Sequence, residues 1–203
     1  MLRAILLFRR NRERILDLGA VYDLWMGQAP LLQKQLDEIL RAQLVLTISA
    51  FDTFIHDCVR IGIVRKFLAN GVINNNLSKY SIPFEDLLII NSLQSNNDKA
   101  NYLDSVIKKI NSKDSYQSPA SVEFALGLLG IGNLWSKLSL TMGMPANDIK
   151  LELSNIVNRR NKIAHESDLN VLGVSLNPIT KADVTRVLHF IYELALSIYK
   201  LLK

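Results

Sequence analysis

Cysteine is nearly missing from this chain. Cys58 stands alone among 203 residues, which excludes an internal disulfide and most zinc frameworks. It lies in an apolar stretch, where a lone cysteine reads as a small buried hydrophobe. Histidine is scarce too: His56, His165 and His189 are the only three. No long uninterrupted apolar run occurs. The most apolar stretch, Leu44 to Leu68, is broken by Asp52, His56, Asp57, Arg60 and Arg65, so a membrane span is not expected. The run Ala4 to Phe8 is short and meets Arg9, Arg10, Arg12 and Arg14 at once, which does not fit a signal peptide. A cytoplasmic location is therefore the expectation. Repeats, low-complexity tracts and alternating strand patterns are also missing.

What is present is enough for a core. Apolar residues make up 49% and charged residues 21%, the balance of a folded chain, and the length suits one domain spanning residues 1–203. The net charge of +5 and pI of about 9.3 are compatible with nucleic acid without being diagnostic of it.

Helical periodicity dominates and predicts an all-α bundle. A first helix is expected from Ala4 to Met26, ending before Gly27 and Pro30. A long second one runs from Gln33 to Ala69 with Gly71 as its stop. The polar stretch 74–78 reads as a loop. Ser81 and Pro83 start a short helix through Ile90, and a loop from Ser92 to Asp98 precedes a helix over Lys99–Ile110. Ser118-Pro119 opens another that ends at Gly130 or Gly132. A shorter helix carries Trp135 and Leu138 and closes at Gly143 and Pro145. Next comes a helix over Asn147–Glu166, then a short extended segment over Val171–Leu176. A last helix begins at Thr180, with Asp183 as its capping-box-like partner.

The helix over Asn147–Glu166 holds the chemistry. Ile149, Leu153, Ile156, Arg160 and Ile163 fall on one stripe at about 100° per residue. Arg160 thus lies on an apolar face and needs an acidic partner or a phosphate. Arg159 falls off the stripe and is expected to see solvent. Asn161 and His165 are four apart and share a flank, so Asn161 can orient the imidazole. Arg160 and His165 are five apart, about 140° around a regular helix, and do not converge on one phosphate. Convergence needs local unwinding, a neighbouring helix or a second copy across a dimer, of which the dimer is favoured. The plainer reading pairs Arg160 with a carboxylate and leaves His165 to end the helix, where a cation suits the macrodipole.

The segment Arg160-Asn161-Lys162-Ile163-Ala164-His165 resembles the signature of the HEPN superfamily: an arginine, a polar residue, then histidine a few positions on. The long helix around Ile39–Asp57 and the middle segment from Tyr116-Gln117-Ser118-Pro119 through Gly130-Ile131 and Trp135 are similar to its RiboL-PSP-HEPN branch. Together they cover most of residues 38–170. The resemblance implies a helical domain that dimerises and places two arginine–histidine motifs in a cleft. Active members are metal-independent RNA endonucleases, often in toxin–antitoxin or antiviral systems, and some have a nucleotidyltransferase partner. Others only bind RNA or protein.

With that activity, the resemblance makes Arg160 and His165 the catalytic residues and Asn161 and Asp52 their supports. Asp52, on the long helix, is the matching candidate to salt-bridge Arg160 or hold one tautomer of His165. Arg159 and Lys162 would contact the RNA backbone. His165 would serve as general base on the 2′-hydroxyl or general acid on the leaving 5′-oxygen, with no metal or cofactor. Two rivals stand beside it. One is a non-catalytic dimeric module binding RNA, nucleotide or a partner protein. The other is a metal site built from Asp52, His56 and His165, since Asp52 and His56 have helical ligand spacing. His56 otherwise reads as a partly buried packing residue, and His189, with no motif around it, as a structural one. Tyr192 and Tyr199 are available to a nucleotidyl-modifying partner, but nothing in their spacing singles them out.

Overall fold

The computed structural model describes residues 1–28, 33–69, 71, 74–170 and 173–203. Among these the chain forms eight α-helices and no strand: α1 (Leu2–Gln28), α2 (Gln33–Leu68), α3 (Phe84–Ser92), α4 (Asn96–Asn111), α5 (Pro119–Leu128), α6 (Leu134–Met142), α7 (Ala146–His165) and α8 (Lys181–Leu201). The expected all-α bundle is what forms.

α2 is the axis. Leu40, Ile48, Phe51, Phe54, Ile55 and Cys58 are almost wholly withdrawn from solvent, and they point in several directions around the helix. A helix apolar on so many sides must be covered on all of them. α1, α4, α5, α7 and α8 pack on it. Gly62 lies on this axis because Leu129 occupies the space where a Cβ would stand. The lone thiol, Cys58, is held wholly inside, as expected of a small hydrophobe.

Caps explain where the outer helices start. Ser95, Ser118 and Thr180 each accept a hydrogen bond from the backbone N–H three residues on, and Pro119 takes the first helical turn of α5. The Ser95 cap starts α4 at Asn96, ahead of the expected Lys99. α5 stops at Leu128, before the expected glycines, because Gly130 turns left-handed at φ 89° while the Ile131 N–H returns to the Leu126 carbonyl at 3.1 Å. Gly143, also left-handed, ends α6 as expected. α3 begins at Phe84, just past Pro83. Of the extended segment expected over Val171–Leu176, residues 171 and 172 lie outside the described residues. Leu176 pairs with Leu169 in an isolated antiparallel bridge.

Candidate active site at the end of α7

α7 is seated by Ile149, Leu153, Ile156 and Val157, which bury its first three turns against α2, α5 and α6. Asp148 in its first turn and Lys162 and His165 in its last complement the helix dipole. The apolar stripe continues through Arg160, half-buried, to Ile163, which packs against the edge of the core.

Arg160 has no carboxylate beside it among the described residues. Its Nη1 donates to the Asn161 Oδ1 at 3.1 Å, and its Nε is buried with no hydrogen-bond partner. A guanidinium so placed retains unused donors and an unneutralised charge, which a phosphate can satisfy. The plainer reading, an acidic partner for Arg160, finds no such pair among the described residues. Asn161 is turned to Arg160, not to His165. His165 is the last residue of α7 and is exposed. Five residues separate it from Arg160 in a regular helix, so the two groups leave on different sides, about 7.5 Å apart along the axis.

The chain then turns sharply. Ser167 and Asp168 both have φ of 54°, and the Lys162 carbonyl accepts N–H groups from Glu166 at 3.0 Å and Asp168 at 2.9 Å. Asp168 is only 1% exposed. Its carboxylate meets the Arg41 Nε at 2.8 Å and Arg159 at 2.5 Å, and its backbone carbonyl accepts the Asn177 N–H at 2.8 Å. Arg41 also donates to Glu38 at 3.0 Å and to the Asn177 carbonyl at 2.8 Å.

Arg159 is therefore not the solvent-facing residue expected from its place off the stripe. Its guanidinium reaches the turn beyond the end of α7, where the buried Asp168 carboxylate is compensated by it and by Arg41. Sequence reasoning passed over Arg41, Asp168 and Asn177. One signal was available: an arginine between Leu40 and Ala42, next to the most apolar stretch of the chain, demands a counter-ion.

The RiboL-PSP-HEPN family model matches residues 11–203. The chain belongs to this family. Comparison with curated proteins and with solved structures gives no match.

The HEPN segments recognised in the sequence fall on α2, on α5 with its flanks, and on α7. Asp52 ties the first two together. Its Oδ1 accepts the Tyr116 N–H at 2.6 Å and its Oδ2 the Gln117 amide at 3.3 Å, with the His56 imidazole 3.8 Å away. Asp52 thus makes no contact with Arg160 or His165; the expected salt bridge is replaced by anchorage of the segment entering α5. The reason is positional: Asp52 lies where α2 meets that segment, and its oxygens satisfy an otherwise free N–H. His56 packs on the Tyr116 ring, with centroids 4.4 Å apart.

Tyr116, almost wholly buried beside Asp114, holds its phenolic proton well above the ordinary range, chiefly through burial. His189 is exposed on α8. Tyr192 lies beneath the Arg12 guanidinium, 4.3 Å from its ring centroid. Among the described residues of this HEPN chain, no group of three or more His, Cys, Asp or Glu side chains is arranged to hold a metal ion. No helix among them is long and apolar enough to cross a membrane.

Proposed function

We propose that this HEPN protein is a metal-independent RNA endonuclease that works as a homodimer, of the toxin or antiviral-defence kind. One observation carries the reading. Of the three arginines around the end of α7, Arg160 alone lacks an acidic partner among the described residues, whereas Arg41 and Arg159 share Asp168. A half-buried guanidinium with an unused donor supplies charge for a phosphate.

RNA brings its own nucleophile. In the proposed reaction His165 takes the 2′-hydroxyl proton or protonates the departing 5′-oxygen, while Arg160 stabilises charge on the non-bridging oxygens. The products are a 2′,3′-cyclic phosphate and a 5′-hydroxyl, and DNA, lacking the 2′-hydroxyl, is inert. Within one chain Arg160 and His165 diverge, so the proposal brings one copy's arginine and its mate's histidine to a shared phosphodiester. Asn161 holds the Arg160 fork, and exposed Lys162 adds backbone affinity. Any antitoxin or nucleotidyltransferase partner would act on this assembly.

The test is cleavage of RNA in chelator, with end-group analysis of the products, beside folded His165→Ala. Cleavage to cyclic phosphate by the wild type, lost in the variant, supports the proposal. RNA retained at constant length by the wild type makes the protein a binding module instead. Sedimentation gives the second arm: a monomer under active conditions removes the shared site. Growth arrest on expression, relieved by Arg160→Ala or His165→Ala, tests the biological role.

A further inference from the structure

Asp168 closes a ring around the motif. Arg159 and Asp168 are joined by their side chains, and the arc between them contains Arg160, Asn161, Lys162 and His165. Arg41 ties that closure to the central helix α2, and Asn177 ties it to the segment leading into α8. Within the arc the Lys162 carbonyl holds two N–H groups, from Glu166 and Asp168. The His165 backbone is therefore held on both sides, while its imidazole is exposed.

The cost of this arrangement is visible in the backbone. Two successive residues with side chains, Ser167 and Asp168, adopt left-handed conformations directly after the motif helix. A carboxylate this deeply buried is expensive to desolvate, and well-packed apolar residues often replace such ion pairs at no loss of stability. Neither feature is needed merely to end a helix, for which a single glycine suffices. Both are explained if the end of α7 must hold one geometry.

We propose that Asp168 is a positioning residue that sets the direction of the His165 imidazole through Arg159 and Arg41. It touches no substrate. This inference rests on the nuclease reading for its catalytic consequence, but the orientation itself is measurable without RNA.

The decisive variant is Asp168→Asn, which tolerates a left-handed backbone and retains one carbonyl acceptor while removing the charge. With three histidines in the chain, proton–carbon NMR resolves the imidazoles, and His165→Ala assigns the signal in question. In folded Asp168→Asn the His165 signals shift or broaden, while those of His56 and His189 stay in place. Turnover of RNA falls at least about tenfold with KM within about twofold, as expected when a proton-transfer group is misdirected while substrate binding stays intact.

Unchanged His165 signals in the folded variant overturn the inference, and so does unchanged turnover by an enzyme that does cleave RNA. If Asp168→Asn does not fold, Arg159→Lys loosens one arm only, and the same His165 signals decide the matter: a shift supports the inference and constancy overturns it. A wild type that does not cleave RNA defeats the nuclease reading, while the NMR comparison still decides whether Asp168 directs the imidazole.

Discussion

Arg41 and Asp168 are 127 residues apart in the chain, yet the Arg41 Nε lies 2.8 Å from the Asp168 carboxylate and both side chains are almost completely buried. The contact joins the central helix to the turn that follows the motif histidine. Every acceptor of Asp168 has a donor: Arg41, Arg159 and Asn177 supply them. This saturation is the condition under which a charge can be held away from water.

Removing the carboxylate leaves the buried Arg41 with only the exposed Glu38 as counter-charge. Asp168→Ala is expected to destabilise the protein by about 3–5 kcal/mol, the range for breaking one side of a buried pair. Urea denaturation monitored by circular dichroism measures it. A change below about 1 kcal/mol, the scale of an exposed pair, would show that water reaches Arg41 in solution.

Arg160 is expected to act through its forked geometry as well as its charge. Arg160→Lys keeps the cation but loses bidentate contact, and should lower kcat about tenfold. Arg160→Ala should lower it about 10²–10³-fold, as for loss of one transition-state donor. Single-turnover cleavage of one RNA gives both numbers. Equal rates for the two variants would mean that charge contributes nothing.

Lys162, exposed and inside the motif segment, is a cation placed to meet a phosphate. Lys162→Ala should reduce the slope of log affinity against log salt by about 0.7, the value for one contact to a single strand. Titrations of RNA into a His165→Ala background at several salt concentrations provide the slope. An unaltered slope would place RNA elsewhere.

Burial pushes the Cys58 thiol from its ordinary 9.0 up to about 12. The folded chain thus holds this proton more tightly than the unfolded chain. The corresponding stability is complete below pH 9.0 and is lost as pH rises towards 12. Tyr80, half-buried against Asn111 and raised to about 12 mainly by burial, acts in the same direction. Native protein at about pH 8 should leave Cys58 untouched by a thiol reagent, and unfolded protein should react with one equivalent. Reaction at equal rates in both states would contradict the burial.

The local choices were set by the chain's own residue order. Apolar spacing defined the long helices, and Ser118-Pro119, Thr180 and Gly143 punctuated them, because propensity and capping act within a few residues. The same short reach made the Arg160–His165 segment readable, together with the fact that one straight helix cannot aim both groups at one point. Which arginine is neutralised was not readable. Arg159 seemed the exposed cation and Arg160 was open to either a carboxylate or a phosphate; the fold brings Asp168 under Arg159 and Arg41 and leaves Arg160 with no carboxylate among the described residues. Asp52 likewise went to the Tyr116 backbone instead of the motif. Electrostatic pairing is settled by distances of a few ångströms between remote segments, and only the packed chain fixes those distances.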